Sequence, residues 1–148
     1  MTLHCDDLQA TADVARDLAS KLTAGGVVAL VGDLGAGKTT FVRFLTEALG
    51  GDPRDVSSPT YVLLHTYPLA GDRNLHHLDL YRLGGADDLD GIGWNELLES
   101  TEQGDVICVE WPSRAEDAMP RDHWTVSIEH AGESARDVSV IPPQSADR

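Results

Sequence analysis

The run Gly32-Asp33-Leu34-Gly35-Ala36-Gly37-Lys38-Thr39 sets glycine, lysine and threonine at the spacing G-x-x-x-x-G-K-[ST]. Phosphate oxygens need many donors close together. Glycines let successive backbone N–H groups turn inward, and the N-terminus of a following helix adds partial positive charge. In such a loop Lys38 reaches the β and γ phosphates and the Thr39 hydroxyl ligates magnesium. The predicted binding set is Asp33, Leu34, Gly35, Ala36, Gly37, Lys38, Thr39 and Thr40. Asp33 is the odd member, because a carboxylate beside phosphates is repelled unless its side chain points away.

Phosphoryl chemistry also needs a carboxylate at the end of a neighbouring strand, to hold the metal or a water. Asp79 follows Leu75-His76-His77-Leu78, and Glu110 follows Val106-Ile107-Cys108-Val109. Glu110 has the more apolar strand in front of it, and an acid ending a buried strand needs a partner. We therefore expect Glu110 beside the P-loop strand, sharing the magnesium with Thr39. Asp79 is left to position the attacking water or to couple hydrolysis to partner binding, an ion pair with Arg82 being its structural alternative. Lys38, Asp79 and Glu110 are thus the catalytic candidates. Trp111, next to Glu110, either packs, shields the site or reads a partner, and is counted with the binding residues.

The polar, turn-rich stretch Ser57-Ser58-Pro59-Thr60-Tyr61 lies where a hydroxyl that senses a γ-phosphate belongs, and Thr60 is the candidate sensor. His65, His76 and His77 do not read as a zinc site, since adjacent residues on a strand point to opposite faces. No Asn-Lys-x-Asp guanine reader exists, and both lysines, Lys21 and Lys38, are placed elsewhere, which argues against GTP.

The elements that must position these groups follow from periodicity. Leu8, Ala12, Ala15, Leu18 and Leu22 recur every three or four residues between Asp6 and Leu22, with Asp6 or Asp7 as N-cap and Gly25-Gly26 at the end. Val27 to Val31 is a wholly apolar run, the pattern of a strand covered on both faces. Lys38 to Leu49 reads as a largely buried helix stopped by Gly50-Gly51. Strands are predicted from Tyr61 to Tyr67, ended by Pro68, from Asn74 to Leu80, and from Val106 to Val109, with a short helix around Asn95 to Glu99. Trp124 to Glu129 alternates at period two, and Val138 and Val140 continue the pattern after a turn at Gly132, giving a hairpin with one wet face. The fold class is α/β: a P-loop NTPase-like mixed sheet flanked by helices, with a C-terminal antiparallel hairpin.

At roughly 100 to 200 residues per domain, 148 residues make one domain, expected over 1–141, with 142–148 as a flexible tail. Eleven basic against 25 acidic side chains leave a net charge of -14, which opposes direct binding of a nucleic acid over a broad surface. Cys5 and Cys108 suit reduced thiols and a cytoplasmic setting. The opening residues carry no basic, apolar export signal, and no apolar run approaches the ~20 residues of a membrane span.

Taken in order, Gly32 to Thr40, Ser58-Pro59-Thr60-Tyr61, His77-Leu78-Asp79-Leu80-Tyr81-Arg82-Leu83 and Val109-Glu110-Trp111-Pro112 closely resemble the TsaE (YjeE) family, from the first helix to about Ile141. The resemblance implies a small bacterial ATPase that binds ATP with Mg2+, hydrolyses it slowly and assists two partners, TsaD and TsaB, in forming threonylcarbamoyladenosine in tRNA. It implies that Lys38 and Thr39 serve phosphates and metal, that Thr60 belongs to a switch-like loop and that Asp79 and Glu110 are functional acids. It also agrees with a protein that meets tRNA only through partners. From the residues alone, a small-molecule or nucleotide kinase is the alternative, though it would need a second pocket and a cationic lid where this chain has scattered arginines. A protein holding ATP only as a structural ligand is the third.

Overall fold

The computed structural model describes residues 2–33, 35–56, 64–80, 89, 91–113 and 118–143. Its centre is β2 (Gly26–Val31), where Val27 to Leu30 are all buried, as a β-branched run covered on both faces requires. Around it lie β1 (Thr2–Cys5), β3 (Leu64–Pro68), β4 (Asn74–Asp79), β5 (Val106–Glu110), β6 (Trp124–His130) and β7 (Arg136–Ile141). The seven strands form one sheet in the order β1-β7-β6-β2-β5-β4-β3. The four inner neighbours β4, β5, β2 and β6 run parallel, while β3 against β4, β7 against β6 and β1 against β7 are antiparallel. The mixed sheet and the C-terminal hairpin are therefore as the patterning predicts.

Strand alternation divides the side chains between two layers. Val28 and Leu30 of β2, Leu75 of β4, Val106 and Cys108 of β5, and Val126 and Ile128 of β6 pack with α1 (Leu8–Ser20) and α2 (Lys38–Ala48). Val27, Leu78, Ile107 and Val109 face the other way, against Leu89, Trp94 and the rest of α3 (Trp94–Ser100). Asp7 caps α1, its carboxylate accepting from the Ala10 N–H at 2.9 Å. The helix buries Thr11, Ala12, Val14, Ala15, Leu18 and Ala19 along one stripe. α2 buries Lys38, Phe41, Val42, Leu45 and Thr46 and exposes only Glu47 and Ala48 at its end, so it is largely buried as the pattern predicts.

Two differences from expectation have local causes. β1 was not predicted: its four residues are exposed except Cys5, so its strand state comes from the ladder with β7 and not from its own pattern. β5 runs one residue further than predicted and takes Glu110 into the strand. The strand predicted from Tyr61 is seen only from Leu64, residues 61–63 lying outside those described, as do 144–148 of the expected tail. Both cysteines are free and buried, and burial pushes the Cys108 thiol far above its ordinary value. Among the described residues no helix is long and apolar enough to cross a membrane.

Candidate functional site

At the carboxyl end of β2 the chain leaves the sheet through Gly32. A side chain there is excluded, since a Cβ would lie 2.6 Å from the Ile128 carbonyl oxygen of β6. The loop that follows ends at Gly37, whose φ of +106 lies in the left-handed region and starts α2 without any side-chain cap. A helix end lacking a capping side chain presents its first-turn amides to an anion. The Ala36 N–H donates to the Asp33 carbonyl at 3.0 Å, closing the loop on itself.

Lys38 is the first residue of α2 and is only 5% exposed. Its Nζ donates to the Gly32 carbonyl at 2.7 Å and lies 3.7 Å from the centroid of the Trp111 ring. Burial pulls its pKa below the usual lysine value, and the negative charges of Glu110, Asp79 and Asp33 oppose that pull. The ammonium is thus held at the loop by a carbonyl and a π face, both of which a phosphate oxygen can replace.

One residue on, the Thr39 hydroxyl donates to Glu110 Oε2 at 3.3 Å. The register explains the meeting. β5 pairs with β2 so that Glu110 lies opposite Leu30, and β4 pairs with β5 so that Asp79 lies opposite Glu110. Paired residues of a parallel ladder share a face, so both acids lie on the side covered by α2. Beyond Glu110 the chain turns sharply at Trp111, a non-glycine residue with φ +59, an unfavourable conformation of the kind that collects at ligand sites. That turn sets the indole over Lys38.

Gly35, Gly37, Lys38, Thr39, Thr40, Asp79, Glu110 and Trp111 line a cleft of ≈ 250 Å³. A second hollow, of ≈ 500 Å³, adjoins it between the loop and the ends of β2 and β6, with Gly32, Asp33, Ala36, Trp111 and Glu129 in its wall. Asp33 is exposed and belongs to this second hollow. Of the residues predicted for the site, Leu34 and Thr60 lie outside those described, as does Arg82, the alternative partner of Asp79. The other predicted members surround these two adjoining clefts.

Sequence reasoning missed three residues here. His77 is completely buried, with Nε2 2.5 Å from Glu110 Oε2 and Nδ1 3.0 Å from the Tyr67 hydroxyl. His76, facing the other layer, is instead pinned by Asp105 at 2.8 Å and Thr66 at 3.0 Å, as alternation requires. Arg136 of β7 donates through Nε to the Ala36 carbonyl at 2.8 Å. No short-range signal announces Arg136, which is 100 residues from its partner. Among the described residues no cluster of three His, Cys, Asp or Glu side chains is found.

Comparison with known proteins places this architecture. Residues 5–138 match the family model described as "Threonylcarbamoyl adenosine biosynthesis protein TsaE". A Bacillus subtilis protein named "tRNA threonylcarbamoyladenosine biosynthesis protein TsaE" is 38% identical over 125 residues, covering 81% of this chain and 75% of its own. A Streptomyces coelicolor protein of the same name is 39% identical over 132 residues, covering 87% of this chain and 86% of its own. The crystal structure of Bacillus subtilis YdiB superposes with a TM-score of 0.68 at 27% identity, covering 99% of this chain and 87% of that one.

Proposed function

The chain belongs to the TsaE family, and from that premise we propose that it binds ATP with Mg2+ in the P-loop cleft and hydrolyses it slowly, assisting the formation of threonylcarbamoyladenosine in tRNA. The observation that carries this reading is the Thr39 hydroxyl on Glu110, one residue from the Lys38 ammonium at the mouth of the glycine loop. A hydroxyl and a carboxylate are the hard oxygen donors magnesium prefers, and magnesium in such sites takes few protein ligands because the phosphates supply the rest. Glu110 and Thr39 would hold it. Bound there, the ion neutralises charge on the phosphate oxygens.

The chain's own residues divide the remaining work. Lys38 exchanges the Gly32 carbonyl for β and γ oxygens. Asp79 orients the attacking water and accepts its proton. Trp111 keeps bulk water off the cleft, and Thr60 senses the γ-phosphate. The loop residues Asp33 to Thr40 surround the phosphates, and the adjoining ≈ 500 Å³ hollow takes the nucleoside half. A net charge of -14 keeps the isolated chain from tRNA, so the partners in this reading are TsaD-like and TsaB-like proteins that carry the RNA.

The test is phosphate release from magnesium-ATP by the protein alone and with the TsaD-like and TsaB-like proteins and tRNA. We expect slow release alone and faster release in the mixture. Transfer of the γ-phosphate to a small acceptor instead of water would establish the kinase reading, and tight tRNA binding by the isolated protein at physiological salt would overturn the indirect route to RNA.

A further inference from the structure

The buried pair behind Glu110 is not explained by phosphate binding alone. His77 is 0% exposed and Tyr67 3% exposed, and both lie on the α2 side of the sheet with Glu110. A carboxylate that is 4% exposed is costly unless its oxygens are bonded. Here two donors, the His77 ring and the Thr39 hydroxyl, converge on the same oxygen, Oε2.

We infer that His77 is a positioning residue that holds Glu110 in the orientation a magnesium ion requires, with Tyr67 fixing the tautomer of His77. The inference rests on the reading of Glu110 as the metal's carboxylate. An ionised carboxylate only accepts, so the proton of a neutral imidazole facing it sits on Nε2. The other ring nitrogen, Nδ1, is then an acceptor, and the Tyr67 hydroxyl, 3.0 Å from it against 3.5 Å from His65 Nδ1, donates to it. Both nitrogens of the His77 ring are thereby engaged. Such outer-shell partners set the direction of the ligand they touch, and losing one typically weakens metal affinity by about 10- to 100-fold.

His77 reaches Glu110 from the next strand because β4 and β5 are parallel neighbours, His77 lying opposite Cys108, two residues before the acid. Asp79, two residues further along β4, lies opposite Glu110 itself. One strand thus supplies both the support for the first acid and the second acid.

The test compares binding of a non-hydrolysable imidophosphate analogue of ATP with and without magnesium. In His77→Leu we expect the strengthening by magnesium to fall by roughly tenfold or more, with metal-free affinity near that of the parent, and His77→Gln, which keeps a donor near Nε2, to recover part of it. Equal weakening with and without magnesium would mean that His77 only supports the fold, and no change would remove it from the site. If the His77 variants do not fold, Tyr67→Phe and nitrogen NMR of the parent ring decide. The parent should carry its proton on Nε2, and Tyr67→Phe should lose that uniform tautomer and part of the magnesium effect. A proton on Nδ1 in the parent, or an unaltered magnesium effect and ring spectrum in Tyr67→Phe, would overturn the inference. Failure of magnesium to affect binding in the parent itself would instead count against the reading of Glu110.

Discussion

The Lys38 ammonium lies 3.7 Å from the Trp111 ring centroid while its hydrogen goes to the Gly32 carbonyl. The charge is therefore desolvated and partnered at the loop. A phosphate must displace these contacts, and it can, because an anionic oxygen adds opposite charge to the bond that the neutral carbonyl makes with the ammonium.

Lys38→Ala should keep the fold and weaken ATP binding about tenfold to a hundredfold, the equivalent of the roughly 1.5–3 kcal/mol of a charge-assisted hydrogen bond. Calorimetric titration of ATP into the variant, alongside its circular dichroism, measures both halves. Parental affinity would remove the P-loop assignment.

Glu110→Gln should blunt the dependence of ATP binding on magnesium, because an amide cannot neutralise the metal's charge. Asp79→Asn should leave magnesium-ATP affinity within about a few-fold of the parent and stop turnover in the assembled complex. Magnesium titrations of bound nucleotide in the two variants discriminate. A larger loss in Asp79→Asn would exchange the roles of the acids.

Arg136→Ala should loosen the phosphate loop from outside. Nε of this arginine holds the Ala36 carbonyl while Nη1 donates to the Ala135 carbonyl, also at 2.8 Å, a two-carbonyl bridge that lysine cannot copy. We expect faster hydrogen exchange at Ala36 to Lys38 and ATP affinity lower by roughly five- to tenfold, about 1–1.5 kcal/mol. Full recovery in Arg136→Lys would show that charge alone matters.

The edge strand should respond to pH. His4 on β1 bonds Asp137, its ladder partner on β7, at 2.7 Å, and that bond is the largest cause of its raised pKa, with Asp6 adding to it. A raised folded-state pKa gives stabilisation that is complete below the ordinary histidine value and is lost as pH rises through the raised one. Amide protection along Thr2 to Cys5, corrected for intrinsic exchange rates, should fall across that interval. His4→Gln should flatten the profile; an unchanged profile in that variant would assign the effect elsewhere.

Much of this site was legible because the residues proposed to touch phosphate are neighbours in the chain. The glycine spacing announced the loop, and the apolar runs before Gly32 and Glu110 announced two buried strands. Alternation alone showed that His76 and His77 part company. What it cannot supply is register: nothing in Leu75 to Asp79 says that His77 will lie opposite Cys108, within reach of Glu110. The same gap hid β1, whose strand state depends on β7, and Arg136, whose partner is 100 residues away in the chain and two strands away in the sheet.

The grip of Arg136 on Ala36 also orders events during synthesis. A ribosome-bound chain that has emerged only as far as Ser113 already holds the complete glycine loop, Lys38, Asp79 and Glu110. It lacks β6, which closes the second flank of β2, and it lacks the guanidinium that pins the loop. The loop therefore gains its last fixed contact only after the final hairpin has been made and has paired with the sheet.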